Sequence, residues 1–195
     1  MDLFTHLLTG IVINKTHKKS EAHNNLNFAC LLLGCVLPDI GEIFIQNALA
    51  EKFGTKYAVY DDRTSDIEVA SQIQVTFIYD LLHSFVFALF IYLLYRLFKQ
   101  KYKILSKSLY FLSIGLCSHI LLDCATHGKV WALKLFFPLS NDRFKILENS
   151  IGNWWDWKPT IQIPIIDVPF PIICFGIWFI LISLYIYFNQ KSKNA

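Results

Sequence analysis

Residues 108–125 read Ser-Leu-Tyr-Phe-Leu-Ser-Ile-Gly-Leu-Cys-Ser-His-Ile-Leu-Leu-Asp-Cys-Ala, an apolar run interrupted by Ser118, His119 and Asp123. At about 1.5 Å per residue, a helix of this length covers most of the roughly 30 Å hydrocarbon core of a bilayer. His119 and Asp123 are four positions apart, so they share one face of such a helix. The stretch predicts a membrane helix with two ionisable side chains on one side.

Four more apolar runs surround this one: Leu3–Ile13, Phe28–Ala48, Leu81–Phe98 and Ile165–Phe188. The first is too short to cross a bilayer alone, whereas the last is long enough to do so with residues to spare. Together the five runs predict an all-α protein, an integral membrane helical bundle of four to five membrane segments. We expect residues 1–195 to form a single domain.

The composition agrees with a membrane protein. Of the 195 residues, 54% are hydrophobic and 17% are charged, and the mean hydropathy is +0.41. Soluble domains are about 25% charged, and disordered chains are poor in apolar residues. A net charge of +3 is too small to indicate nucleic-acid binding. The five cysteines lie in apolar runs without a CxxC pair, which favours packed thiols over disulfides.

The positions of the lysines predict the orientation. Basic residues cluster in residues 15–19, in residues 96–107 and after the last apolar run, and such clusters mark cytoplasmic loops. The longer segments 50–80 and 127–164 then form two outer loops, and the chain starts on the outer side. A signal peptide is not expected, because Asp2 precedes the first apolar run and lysines follow it. We therefore expect a multi-pass protein of the cell inner membrane.

Ionisable side chains inside membrane segments point to function, since each costs a few kcal/mol to insert. Counted from the last polar residue at the inner end of each run, they all lie about 14 to 24 Å into the membrane. This shared depth predicts that they meet at one metal site, because His and Asp are common ligands of zinc. The residues are His6, Asp39, His83, His119 and Asp123.

His127 is a sixth candidate ligand. It lies four positions after Asp123, so it extends the same stripe if the helix continues to Gly128. The competing interpretation is that these polar residues only form packing hydrogen bonds within the bundle. For Asp39 the competing interpretation is a helix break at the preceding Pro38. His17 and His23 lie in a polar loop, where solvated side chains are expected.

The ordered motifs resemble a known prokaryotic family. They are Thr5-His6, the segment Gly34–Ile40 with its Pro38-Asp39 pair, His83-Ser84, and the H-x-x-x-D motif in Ser118–Asp123. Members of that family are small inner-membrane proteins described as LexA-regulated, candidate metal-dependent hydrolases. The family is similar to zinc-dependent phospholipase C and to the zinc single-strand nucleases. The resemblance covers most of residues 1–140.

The resemblance implies a helical bundle whose metal ligands are His6, Asp39, His83, His119 and Asp123, with His127 as an addition. If the protein is a hydrolase, Asp39 and Asp123 are the expected catalytic carboxylates, and Asp39 either bridges two ions or accepts the proton of a water molecule. This chain departs from the family pattern at Leu82, where Thr is preferred, and at Tyr79, where many relatives have His. The H-x-x-x-E motif that completes a third zinc site in the phospholipases is absent, because no His follows His127. One or two divalent ions, most simply zinc, are therefore expected.

Three functions remain open from the sequence. The first is hydrolysis of a phosphoester, such as a lipid head group, at the outer side of the membrane. Arg143 or Lys145 could then hold the phosphate charge, although a solvated loop explains both equally well. The second is a non-enzymatic protein with a structural metal or a path for ions or protons. The third is a purely structural bundle. No nucleic-acid partner is expected, and the oligomeric state is not predicted.

Overall fold

The computed structural model describes residues 3–16, 25–53, 76–126, 133–144, 160–163 and 166–193, and these parts are predominantly helical. The elements in chain order are α1 (Leu3–Thr16), α2 (Asn25–Phe53), α3 (Thr76–Leu82), α4 (Phe85–Phe98), α5 (Lys103–Thr126), β1 (Thr160–Ile163), β2 (Ile166–Pro169) and α6 (Phe170–Lys193). Helix α5 lies centrally, packed against α2 and α4, while α1 packs against α2 and α6. The all-α prediction is confirmed, except for the short hairpin β1–β2.

That hairpin shortens the last predicted helix. The apolar run was expected to be helical from Ile165, but Ile166–Pro169 pair antiparallel with Thr160–Ile163 and the helix begins at Phe170. The β-branched residues of this segment favour an extended backbone. Pro171 lies in the first turn of α6, where a proline costs no helical hydrogen bond.

Helices α2 and α5 cross at two glycines whose backbones nearly touch. A Cβ atom on Gly34 would lie 2.3 Å from the Leu112 carbonyl oxygen, and one on Gly115 would lie 2.3 Å from the Leu31 carbonyl oxygen. Small residues allow such close approach between membrane helices, where packing rather than the hydrophobic effect drives association. Leu31, Leu116 and Ile120 are fully buried beside this crossing. The crossing fixes the distance between the side chains that α2 and α5 carry.

The run Leu81–Phe98, expected as one segment, is broken at His83 and Ser84. Helices α3 and α4 meet there at an angle of 58°. Ser84 caps the second helix, because its hydroxyl accepts a hydrogen bond from the Phe87 amide at 3.1 Å and donates one to the Leu81 carbonyl at 2.8 Å. Because of the break, His83 lies outside a regular helix and its side chain points into the protein interior, where it is 2% exposed.

Pro38 does not break α2. The helix continues from Asn25 to Phe53 with Pro38 inside it. The proline has no amide hydrogen to donate to the Gly34 carbonyl, so one helical hydrogen bond of α2 is missing there. The interpretation of Pro38-Asp39 as a simple helix break is therefore wrong, and Asp39 extends from a helix.

Among the described residues, α5 is long and apolar enough to cross a membrane between Lys103 and Cys124. The bent pair α3–α4 meets the same criterion when it is counted as one broken span. Shorter apolar helices lie at Asn25–Gly41 and Gly176–Phe188. These helices agree with a membrane location.

The segment 133–144 is held against the break between α3 and α4. The Phe85 amide donates to the Leu135 carbonyl at 2.8 Å. The Lys134 ammonium donates to the Asp80 carboxylate at 2.7 Å, and the two side chains are 15% and 3% exposed. Removing one partner of a buried ion pair leaves an uncompensated charge in a medium of low dielectric constant.

We therefore expect Lys134→Met to lower the free energy of unfolding by about 3 kcal/mol or more, because the Asp80 carboxylate loses its partner. Thermal unfolding in detergent measures the effect. Asp80→Asn in the same chain should recover part of the loss, since no buried charge then remains. Lys107→Met, which replaces an exposed lysine, is the control. An unchanged melting temperature for Lys134→Met would show that the pair does not stabilise the fold.

Candidate metal centre

Five of the predicted side chains come together near the carboxyl end of α5. His6 comes from α1, Asp39 from α2, His83 from the α3–α4 break, and His119 and Asp123 from successive turns of α5. The side chains of His6, His119 and Asp123 are fully buried, and His83 is 2% exposed. The carboxylate of Asp39 is the most accessible member, at 27%.

The Asp123 carboxylate lies at the centre of the cluster. Its Oδ2 atom is 2.8 Å from His119 Nε2 and 3.4 Å from His83 Nε2, while Oδ1 is 3.2 Å from His6 Nε2. His119 Nε2 is also 3.7 Å from Asp39 Oδ1. One carboxylate thus faces three imidazoles that come from three different parts of the chain.

Backbone carbonyls set the tautomers of two of the histidines. His119 Nδ1 lies 2.7 Å from the Cys35 carbonyl, and His83 Nδ1 lies 2.9 Å from the Tyr79 carbonyl. A carbonyl oxygen can only accept a hydrogen bond, so both Nδ1 atoms carry a hydrogen and donate. In the neutral imidazoles the Nε2 atoms therefore present lone pairs. This arrangement, in which the distal nitrogen donates to a carbonyl, is usual for histidines that bind metal ions.

The result is a convergence of lone pairs that fits a cation. His83 Nε2 and His119 Nε2 are 3.3 Å apart and both face Asp123 Oδ2. A single proton can form a hydrogen bond between only two of these three atoms. A cation placed between them can be bound by all three, His83 Nε2, His119 Nε2 and Asp123 Oδ2. The donor set of imidazole nitrogens and carboxylate oxygens suits zinc and similar divalent ions. The residues present therefore fit the metal that the sequence led us to expect.

His6 completes the cluster from the side of α1. Its ring stacks on that of His119, with centroids 3.8 Å apart and 16° between the planes. His6 is one of four residues that each offer a ligand atom, and these four atoms all lie within 4.8 Å of one another. The group could hold a metal ion, and its members are His6, Asp39, His119 and Asp123. His83 adds a nitrogen 3.3 Å from that of His119.

Asp39 marks the open side of the cluster. It is the only one of the five whose side chain is more than a few per cent exposed. Two residues later, Gly41 lies against α3, because a Cβ atom there would be 2.8 Å from the Tyr79 Cα. Helix α2 therefore packs closely against the short helix α3 in the turn that follows Asp39.

Supporting contacts around the cluster were not predicted from the sequence. Thr5, fully buried beside His6, accepts a hydrogen bond at 2.6 Å from the indole nitrogen of Trp178 on α6. The Tyr79 ring packs on that of His83 with centroids 4.0 Å apart. The sequence assigns no role to Tyr79 beyond its departure from the family pattern. The carbonyl of Cys35 carries no residue-type signal, so no sequence pattern reveals it.

Three predicted residues are not part of the described cluster. His127, the sixth candidate ligand, lies outside the described residues, as does Lys145. Arg143, a candidate for phosphate binding, is exposed in the segment 133–144. The polar-loop residues His17 and His23 also lie outside the described part of the chain.

Comparison with protein families identifies the group to which this arrangement belongs. The model of the YdjM inner membrane protein family matches residues 1–194. The chain belongs to the YdjM inner membrane protein family. This is the LexA-regulated family of candidate metal-dependent hydrolases that the ordered motifs resemble, so that prediction is confirmed. No curated protein and no solved structure gives a significant match.

Membership in the YdjM family also confirms the predicted location in the inner membrane. It agrees with the long apolar α5 and with the bent pair α3–α4. In this YdjM protein, the buried His and Asp side chains therefore form a polar cluster among apolar helices. Such clusters are costly to bury and are characteristic of functional sites.

Proposed function

We propose that the protein is a membrane-bound, metal-dependent hydrolase that acts on a phosphoester, such as a lipid head group, at the outer side of the inner membrane. The observation that carries the proposal is the convergence of His83 Nε2, His119 Nε2 and Asp123 Oδ2 in a buried site. The proposal includes a single domain with four to five membrane segments and two outer loops. One or two divalent ions, most simply zinc, are held by His6, Asp39, His83, His119 and Asp123, with His127 as a further ligand.

When bound, a divalent ion supplies the charge that acidifies water and polarises a phosphoryl oxygen. The protein's own residues then have distinct tasks. Asp123 holds the three imidazoles in place and supplies negative charge within the buried site. Asp39, as the accessible carboxylate, is placed to accept a proton from water at the open edge. The carbonyls of Cys35 and Tyr79 keep the imidazole rings from rotating.

Burial of the cluster also favours a second candidate, a structural metal site without activity. His6, His119 and Asp123 are fully buried, and structural sites are closed by protein ligands. The 27% exposure of the Asp39 carboxylate favours the hydrolase instead, because an enzyme needs an open position. A path for ions or protons has less support in the described core. Leu31, Leu116 and the backbone contact between Gly34 and Gly115 fill the space on the inner side of the cluster.

Hydrolysis by purified protein distinguishes the two candidates. With zinc added, the unsubstituted protein should hydrolyse bis-p-nitrophenyl phosphate and release the head group of phosphatidylglycerol in mixed micelles. Asp39→Asn should lower kcat by about 100-fold or more, since a positioned general base contributes that much. It should retain bound zinc on the remaining ligands. His119→Ala should lose both zinc and activity.

Asp142→Asn is the control, because Asp142 is an exposed carboxylate outside the cluster. Its rate should equal that of the unsubstituted protein. Stoichiometric zinc without hydrolysis of either substrate would favour the structural metal site. Activity that survives in both His119→Ala and Asp39→Asn would overturn the proposed function.

A further inference from the structure

Helix α3 has its polar side chains inside and its apolar side chains outside. Thr76, Tyr79 and Asp80 are 8%, 3% and 3% exposed, whereas Phe77 and Ile78 are 55% and 41% exposed. A helix at a water-facing surface shows the opposite arrangement, with the apolar face towards the protein. An apolar outer face over a polar interior is expected where the surrounding solvent is lipid.

A neighbouring turn exposes the same kind of surface. Phe136 and Leu139 are 59% and 81% exposed, and the Phe137 ring meets the Phe77 ring edge-on with centroids 5.3 Å apart. This contact joins the turn to α3. We call the exposed set formed by Phe77, Ile78, Phe136 and Leu139 the apolar shoulder.

The two charged side chains beneath the apolar shoulder form an ion pair with each other. Lys134 and Asp80 are the charged side chains at its base, and they neutralise each other at 2.7 Å. The ammonium also lies 5.4 Å from the centre of the Phe137 ring. Pairing of opposite charges and stacking on an aromatic ring are how charged side chains are accommodated away from water.

The apolar shoulder continues a surface that already faces the bilayer. On α4, Leu89, Phe90 and Leu93 are each more than half exposed, and α4 follows α3 directly across the 58° bend. Beyond the turn the chain becomes polar, because the residues from Ser140 to Arg143 are polar and Asn141 to Arg143 are exposed. The exposed side chains thus change from apolar to polar after Leu139, which places the boundary between lipid and water there.

We infer that the apolar shoulder is immersed in the hydrocarbon of the bilayer leaflet that borders the site, and that α3 and the turn at 135–139 are membrane-inserted segments. The sequence places most of α3 and the whole turn in the two predicted outer loops, residues 50–80 and 127–164. Helix α2, which carries Asp39, then packs against a lipid-immersed helix, since Gly41 lies against the Tyr79 backbone. The inference concerns the surface of the protein and holds whether or not the cluster is an enzyme site.

Spin labels test this placement residue by residue. Phe136→Cys, Leu139→Cys and Asn141→Cys are made separately in a chain whose five native cysteines are replaced by alanine. Each protein carries one nitroxide and is reconstituted into vesicles of phosphatidylethanolamine and phosphatidylglycerol. Collision rates are measured with oxygen, which concentrates in hydrocarbon, and with a water-soluble nickel chelate.

The labels at 136 and 139 should collide with oxygen several-fold more often than with the nickel chelate. The label at 141, only two residues further on, should show the reverse preference. Access of the nickel chelate to positions 136 and 139 would overturn the inference, because those side chains would then lie in water. Low collision rates with both reagents would also overturn it, since a second copy of the chain would then cover the surface.

The cysteine-free chain should elute as the unsubstituted protein does in size-exclusion chromatography. If it does not, the same substitutions are made in the natural sequence. The signal of the unsubstituted protein, carried through the same labelling, is then subtracted. The native cysteines that the structure describes are buried or half-buried, so they contribute a small background. The same oxygen and nickel preferences are expected, and the same results would contradict the inference.

Discussion

Asp123→Asn should weaken zinc binding more than about 100-fold, because loss of even an outer partner of a metal ligand typically costs 10 to 100-fold. Asp123 contacts His6, His83 and His119 through its two oxygens at 2.8 to 3.4 Å. Asparagine has nearly the same shape, but it carries no charge and presents an NH₂ group at one of those positions. The substitution thus removes charge from the centre of the cluster with little change in packing volume.

Competition with a chromophoric chelator measures the zinc affinity of the purified protein. Asp142→Asn, an equivalent change at an exposed position, should leave that affinity unchanged. Size-exclusion elution of Asp123→Asn should match the unsubstituted protein, which separates loss of binding from loss of fold. Retention of tight zinc binding by Asp123→Asn would exclude the cluster as the metal site.

Gly115→Ala should destabilise the protein by about 3 kcal/mol or more, at the upper end of the usual cost of overpacking. The added methyl group would lie 2.3 Å from the Leu31 carbonyl oxygen and 2.9 Å from the Cys35 amide nitrogen. Both obstacles are backbone atoms, so rotation of a side chain cannot relieve the clash. Helices α2 and α5 must move apart, which separates the Cys35 carbonyl from His119.

Thermal unfolding in detergent should show a melting temperature lower by roughly 6 to 12 °C, given about 2 to 4 °C per kcal/mol for a chain of this size. Gly34→Ala should act in the same direction from the opposite helix. Gly176→Ala is the matched control, because nothing lies within 4 Å of the added methyl group. It should be neutral or slightly stabilising, since alanine is the better helix former. Equal melting temperatures for Gly115→Ala and Gly176→Ala would show that the close crossing is not required.

The candidate site could be predicted from the sequence because its side chains are ionisable and yet lie in apolar segments. His6, Asp39 and Asp123 are ionisable residues in apolar runs, and counting residues placed them at one depth. The structure brings these residues together with His83 and His119 near the carboxyl end of α5. Their role as ligands stays a prediction, and the placement of His127 lies outside the described residues.

What the sequence did not reveal depends on backbone geometry. The break at His83 and Ser84 lies within an otherwise apolar run, and it is accompanied by the Ser84 cap and by the hydrogen bond from the Phe85 amide to the Leu135 carbonyl. Likewise, a helix break at Pro38 was the competing interpretation for Asp39, but α2 is continuous through Pro38 and packs against α5. In both cases the apolar pattern of the run does not reveal the backbone path that the structure shows.

The apolar shoulder illustrates a related limit. The apolar runs and the positions of the lysines place residues 76–80 and 135–139 in the predicted outer loops. Only the fold shows that the polar side chains of α3 face inward while Phe77 and Ile78 face outward. A seven-residue helix is too short for periodicity to reveal which face is buried.

X-ray absorption spectroscopy of the zinc-loaded protein examines the metal centre itself. Ligation by His6, Asp39, His83, His119 and Asp123 predicts a first shell of nitrogen and oxygen atoms at about 2.0 to 2.2 Å, with the multiple-scattering pattern of imidazole. That shell should be absent from Asp123→Asn measured at the same zinc concentration. A sulfur shell at about 2.3 Å would contradict ligation by the His and Asp side chains. The metal would then be held by cysteine thiols, such as those of the buried Cys35 and Cys124.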